Sequence, residues 1–326
     1  MTVQNPHDRF FRESFGRVPI ARNYLEEYLP EAVLALLDLD TLTLQDGSFI
    51  DEEMREHQTD LLYQVQLNDG GTATIYLLFE HKSFPDLLVT LQLLRYMVNL
   101  WQQQVKEKVP LTPIIPLVVY HGERAWHIAT EFSALLAVPE ELRPYQPNFR
   151  YHLSDFSHLS DETIRGEIWL RVCLSVLRAI FNPRLRHELD DLANLVFQLY
   201  GQRTGLEYIR TIMYYLSDAT ERVKREDLEE VLRRQGAEGE RVMATIAQEY
   251  IREGFEQGIE QGRIQNLQDN ILDLLDIRLG VVNDEVEEGV TAVTDAAILR
   301  QLHREAATAA TIEAFMDKLA LLTRNK

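Results

Sequence analysis

The stretch TDLLYQVQLNDGGTATIYLLFEHKS, residues 59–83, reads as a β-hairpin whose second strand ends in an acid, an imidazole and an amine. Residues 58–67 and 72–82 have strand-like composition, and Asn68-Asp69-Gly70-Gly71 between them is a strong turn signal. Residues two apart on a strand share a face. Glu80 and Lys82 therefore point one way and His81 the other. On the first strand Asp60 shares a face with Leu62, Gln64 and Gln66, while Leu61, Tyr63, Val65 and Leu67 make an apolar face. Aspartate is disfavoured in strands, and an unpaired buried carboxylate is costly.

Whether Asp60 meets Glu80 depends on the register. Direct opposition requires a three-residue loop, Asp69-Gly70-Gly71, with Gly71 in the left-handed conformation of a G1 bulge. A two-residue turn on Asp69-Gly70 would instead pair Asp60 with Phe79 and turn the two carboxylates to opposite faces. If the first condition holds, two carboxylates and an amine converge. Hard oxygen ligands of this kind suit Mg²⁺ or Mn²⁺. The competing reading is a solvated strand end with a surface ion pair.

Outward from the hairpin, residues 5–30 form a helical pattern that Gly16 and Pro19 divide, and LDLDTLTLQDGSFI (37–50) follows as an extended segment. Residues 86–107 form a long helical pattern, 112–122 a buried-strand run and 148–153 a further short strand. Beyond about residue 160 the pattern is almost wholly helical: 161–181, 185–201, 204–217, 226–235, 238–277 with a break expected, 294–304 and 309–322. The expected class is α/β, a mixed central sheet flanked by helices, followed by an all-helical C-terminal half. The expected domains are 1–155, a helical extension 156–250, and a C-terminal helical segment 251–326.

The net charge of −19, with 45% hydrophobic and 26% charged residues, describes a globular chain with no broad attraction for nucleic acid or anionic membranes. Residues 1–100 hold 16 acids and 7 bases. No uncharged apolar run is long enough to span a bilayer, and the first 25 residues do not read as a signal peptide. One cysteine, Cys173, excludes an intrachain disulfide or a cysteine zinc cluster. The cytoplasm is the expected compartment.

Asp60, Glu80 and Lys82 match the core pattern of PD-(D/E)XK nucleases. The surrounding PHDRFFRESF (6–15), TDLLYQVQL (59–67), YLLFEHKS (76–83), LLRYMVNLW (93–101) and IPLVVYHGERAW (115–126) resemble the recombination-promoting nuclease (Rpn) family, of the YhgA-like transposase type. The resemblance is clearest over residues 6–126. It implies a restriction-endonuclease-like core and a metal-dependent DNA endonuclease linked to recombination or mobile DNA. Asp60 and Glu80 would be the metal ligands, Lys82 the third catalytic residue, Mg²⁺ the cofactor with Mn²⁺ as substitute, and DNA the partner. Many relatives carry Gln at the position of Lys82; the Lys here favours activity. The alternative is an inactive nuclease-fold protein that acts as an interaction or DNA-binding module.

Accessory candidates each compete with a plainer reading. Asp8, next to His7, opens the first helix and resembles the family's initial His-Asp; near a helix start it also suits the dipole. Glu13 and Glu26 are candidates for an additional acid on the first helices. Gln92 and Tyr96 are four apart and share a helix face, with Arg95 beside them. His121, between Tyr120 and Gly122, ends a strand close in sequence order to the site. Arg143, Arg150 and Arg165 are candidate DNA contacts. Gly254, Gly258 and Gly262 make a bare stripe on a helix, each costing about 1 kcal/mol against alanine. This stripe suggests close helix–helix contact and a homo-oligomer through the C-terminal half.

Overall fold

The computed structural model describes residues 5–45, 61–80, 86–122, 124–157, 163–280 and 282–323. Its chain divides into two compact units, residues 1–243 and 244–326.

The first unit is built on a five-stranded sheet in the order β1-β2-β3-β4-β5, with β1 at Leu37–Leu44, β2 at Leu61–Leu67, β3 at Thr72–Glu80, β4 at Ile114–Tyr120 and β5 at His152–Asp155. The strands β1, β2 and β3 are antiparallel neighbours, whereas β3, β4 and β5 run parallel. A hairpin suffices to join antiparallel strands, but parallel neighbours need a crossover. Helix α4 (Val89–Glu107) supplies the crossover between β3 and β4. Burial on both faces explains the apolar run in β4, where Leu117, Val118, Val119 and Tyr120 are all buried.

Two helical layers cover the sheet. On one face α4 packs Val89, Leu93, Tyr96 and Leu100 against Tyr76, Val118 and Tyr151. On the other, α1 (Pro6–Phe15) and α2 (Val18–Tyr28) meet the odd-numbered side of β2. The Tyr63 hydroxyl donates to the Phe15 carbonyl at 2.5 Å, and Tyr24 and Ser154 share a hydrogen bond of 2.7 Å. Asn5 caps α1 by accepting from the His7 amide at 3.0 Å. Pro19 stands in the first turn of α2, so it starts that helix rather than breaking one. A one-turn helix α3 (Glu31–Leu34) leads into β1.

Helices α5 (Ile168–Ala179), α6 (Leu185–Phe197), α7 (Gly205–Asp218) and α8 (Arg225–Arg234) follow β5. Phe10 of α1 stacks on Tyr215 of α7 with ring centroids 4.3 Å apart, joining the first helix to the helical half. Mixed sheet, flanking helices and helical C-terminal region are the expected fold class, consistent with a restriction-endonuclease-like core.

Helix α9 (Gly236–Leu279) is continuous for 44 residues, so the break expected within 238–277 is absent. Glycine in a helix costs only about 1 kcal/mol and keeps its amide, unlike proline. A Cβ at Gly258 or Gly262 would meet nothing within 4 Å, so among the described residues no other helix closes on those two positions. The C-terminal unit also contains α10 (Asp284–Thr291), which the sequence pattern did not reveal, then α11 (Ala296–Thr308) and α12 (Ile312–Thr323). Its core joins Ile271 and Leu275 to Val286, Val290, Leu299 and Phe315. Asn283 and Asp295 cap α10 and α11 through their side chains.

The two glycines of the β2–β3 turn act through backbone conformation. Gly70 and Gly71 have φ of 94° and 93°, and a Cβ at either would meet no atom within 4 Å. Gly70→Ala should therefore lower stability by about 1 kcal/mol purely through the left-handed penalty, a shift of roughly 2–4 °C in Tm. Gly70→Asn, which tolerates this region better, should cost less. Thermal unfolding of the two variants beside wild type checks both the loss and the order.

Candidate active site

The site hypothesis rests on the end of β3. Glu80 is the last residue of that strand, and its backbone pairs in parallel with Tyr120, which in turn pairs with Asp155. The carboxyl ends of three parallel strands thus lie side by side. In sheets with parallel strands, such ends are where ligands usually bind. Asp60, His81 and Lys82 lie outside the described residues.

The hairpin register differs from both registers considered in the sequence. Leu61 pairs with Leu77, Tyr63 with Ile75 and Gln66 with Thr72. The loop is Asn68-Asp69-Gly70, closed by the Leu67 amide donating to the Gly71 carbonyl at 3.1 Å and the Gly70 amide to the Leu67 carbonyl at 3.0 Å. It is a three-residue loop, but placed one residue earlier than the Asp69-Gly70-Gly71 loop that direct opposition of Asp60 and Glu80 requires; Gly70 and Gly71 both have positive φ. The parity is the one the hypothesis needs: even-numbered residues of β2 and β3 share a face.

Gln92 and Tyr96 stand together on that face. The Gln92 amide donates to the Tyr96 hydroxyl at 3.4 Å, and the Tyr96 ring lies 5.1 Å from that of Tyr76 on β3. Arg95 is exposed beside them. Asp8 occupies the first turn of α1 and is half-buried. Glu13 forms a surface ion pair with Arg9 at 3.1 Å, and Glu26 accepts from Asn23 at 3.2 Å. Of the candidate DNA contacts, Arg143 pairs with Glu140, Arg150 with Glu131, and Arg165 lies over the Tyr28 ring. Each of these arginines already has a local partner.

His121 turns to the other face of the sheet. Its Nε2 bonds the Leu177 carbonyl, and its ring lies 4.7 Å from Phe181 and 5.7 Å from His7. His7 Nδ1 in turn meets the Tyr215 hydroxyl at 2.8 Å, and burial raises the Tyr215 pKa well above its ordinary value. The adjacent Tyr120 instead packs against Trp126, 4.9 Å between centroids. The structure therefore separates His121 from Gln92 and Tyr96. It joins His121 to His7 in an aromatic cluster, which the sequence could not show because the partners lie on distant segments. Asp155, not singled out from sequence, reaches the same row of strand ends as Glu80. Its carboxylate is engaged there, accepting from the Trp126 amide at 2.9 Å and from the amide and hydroxyl of Ser157 at 2.9 and 2.6 Å.

Among the described residues no three His, Cys, Asp or Glu side chains cluster as a metal site. The two acids expected to hold Mg²⁺ are not both within that description. Among the same residues no helix is long and apolar enough to cross a membrane.

The family model described as "Putative transposase, YhgA-like" matches residues 5–207, a span that contains the whole sheet and its covering helices. The chain belongs to this family. It is 28% identical to "Recombination-promoting nuclease RpnC" of Escherichia coli (strain K12), over 77% of this chain and 82% of that protein. Against "Recombination-promoting nuclease RpnD" of Escherichia coli O157:H7 the identity is 34%, over 38% of this chain and 48% of that protein. It is also 27% identical to "Inactive recombination-promoting nuclease-like protein RpnE" of Escherichia coli (strain K12), over 80% of this chain and 86% of that protein. No solved structure matches the chain.

A thiol nucleophile has no place in this site. Cys173 is buried in α5, and burial pushes its thiol up to about 12. Native protein at pH 8 should leave a thiol reagent unreacted, with one equivalent titrating once denaturant is added. Rapid labelling of the native form would show that α5 opens.

Proposed function

We propose that this protein is a cytoplasmic, Mg²⁺-dependent DNA endonuclease that hydrolyses phosphodiester bonds in the course of recombination or DNA mobility. The observation that carries the reading is the placement of Glu80. It ends β3 beside the carboxyl ends of β4 and β5, in a hairpin whose parity assigns even positions to one face. Membership in a family whose relatives are named recombination-promoting nucleases supports the same reading.

In this reading Asp60 and Glu80 hold the ion. Two carboxylates form a hard, anionic oxygen set that fits Mg²⁺, with Mn²⁺ as substitute. When bound, such an ion supplies Lewis acidity at a phosphoryl oxygen and lowers the pKa of a coordinated water. Lys82 would orient the attacking water and offset charge that builds on the phosphate oxygens. Gln92 and Tyr96, already hydrogen-bonded on the α4 side of the sheet, would position polar groups at the edge of the site. The 16 acids against 7 bases in residues 1–100 oppose DNA until cations neutralise them. Activity should therefore depend steeply on divalent cation.

A second reading has specific support, since a similar relative is named inactive. A chain that keeps the fold without cleavage would act as an interaction or DNA-binding module. The presence of Lys82, the residue of the wider nuclease pattern, favours the active form.

Supercoiled plasmid separates the two. Wild type with Mg²⁺ should nick or linearise it, and EDTA should abolish this. Asp60→Ala and Glu80→Ala should each lower the rate at least a hundredfold, and Lys82→Ala about tenfold or more, with unchanged thermal unfolding. Equal cleavage by all four proteins would remove these residues from the site, and no cleavage by wild type would favour the binding module.

A further inference from the structure

We infer that the cavity between α5 and α6 binds an apolar α-amino acid in its zwitterionic form. The cavity has a volume of about 390 Å³. That lies at the small end of the range of small-molecule sites, roughly 300–1,000 Å³. One wall is a single face of α5. Arg171, Ser175 and Arg178 stand four and three positions apart on it and line up along the helix. The other wall is a single face of α6, where Glu188, Asp191, Leu192 and Leu195 recur at helical spacing. Ile164 extends the apolar part of the lining.

Three polar groups of this lining have no protein partner. Among the described residues the Arg171 guanidinium, the Ser175 hydroxyl and the Asp191 carboxylate make no hydrogen bond and no ion pair. Ser175 is the most informative of them. It is only 5% exposed, in the middle of a helix where a serine hydroxyl can bond the carbonyl four positions back. A buried hydroxyl is costly to leave unpaired, so a group that lines a cavity and bonds nothing in the chain points to an occupant. Glu188 accepts from the Asn182 side-chain amide at 2.6 Å, which leaves Asp191 as the carboxylate open to a ligand.

The arrangement of charge selects the class of ligand. Two cations lie on one wall and two carboxylates on the other, so the lining has no net charge but a marked dipole across it. An anion that approaches the guanidinium groups also meets the carboxylates of α6, and a cation meets the reverse. A zwitterion satisfies both walls at once. Its carboxylate accepts from Arg171 and Ser175, and its ammonium donates to Asp191. Leu192, Leu195 and Ile164 then take an apolar side chain out of water.

Calorimetric titration of the full-length protein with L-leucine as the probe should show saturable binding in the sub-millimolar range, and the ligand should raise the unfolding temperature. Isocaproate, which lacks the ammonium, isoamylamine, which lacks the carboxylate, and glycine, which lacks the side chain, should each bind at least tenfold more weakly. Arg171→Gln and Asp191→Asn alter exposed side chains. Each should keep the unfolding temperature of the free protein and weaken L-leucine binding at least tenfold. Absence of saturable binding by L-leucine, L-methionine and L-phenylalanine would overturn the inference. So would single-ion analogues that bind as well as L-leucine, or an affinity that neither substitution changes. The measurements involve neither DNA nor Mg²⁺, so they stand apart from the nuclease reading.

Discussion

The parallel ladder between β3 and β4 is the constraint on which the rest of the molecule depends. It can form only if the chain leaves β3, crosses the sheet and returns in the same direction, and α4 makes that crossing. The ladder brings Glu80 level with Tyr120 and, through the next pairing, with Asp155. It also obliges β4 to be apolar on both faces, so a helical layer must cover each side of the sheet. Helices α1 and α2 cover one side before the sheet is complete in sequence, and α4 covers the other. The aromatic residues that open the chain thereby acquire partners some 200 positions away, as Phe10 does with Tyr215.

What was legible in the sequence follows from the range of the forces involved. The alternation in LDLDTLTLQDGSFI (37–50) and in residues 58–67, as far as the described residues reach, and the uninterrupted apolar run in 112–122, are local patterns that tertiary contacts did not override. The class of fold and most elements follow from them. The helix at Asp284–Thr291 escaped notice because its eight residues hold only two buried apolar side chains, Val286 and Val290, too few to display a period. The continuity of α9 was missed for a different reason. Three glycines at regular spacing look like punctuation, but each retains its backbone donor, and their combined cost is spread along 44 residues.

The candidate site is a reading of sequence chemistry, and the structure speaks to the register of the hairpin that carries it. Acid, imidazole and amine at a strand end can be read directly, and the period of two assigns their faces. Register is set by which glycine of Gly70-Gly71 takes the left-handed position after the turn. Both have positive φ and both are sterically free, so the residues alone leave the choice open. A shift of one loop position moves direct opposition by two residues while leaving the faces unchanged. His121 is the counterpart. Strand order places it near the site, but its own parity turns it away, to His7, Phe181 and the Leu177 carbonyl.

Helix α4 joins these levels. Its inner row fixes Tyr96 against Tyr76 and so holds the Gln92–Tyr96 pair over the face of the sheet that Tyr76 occupies.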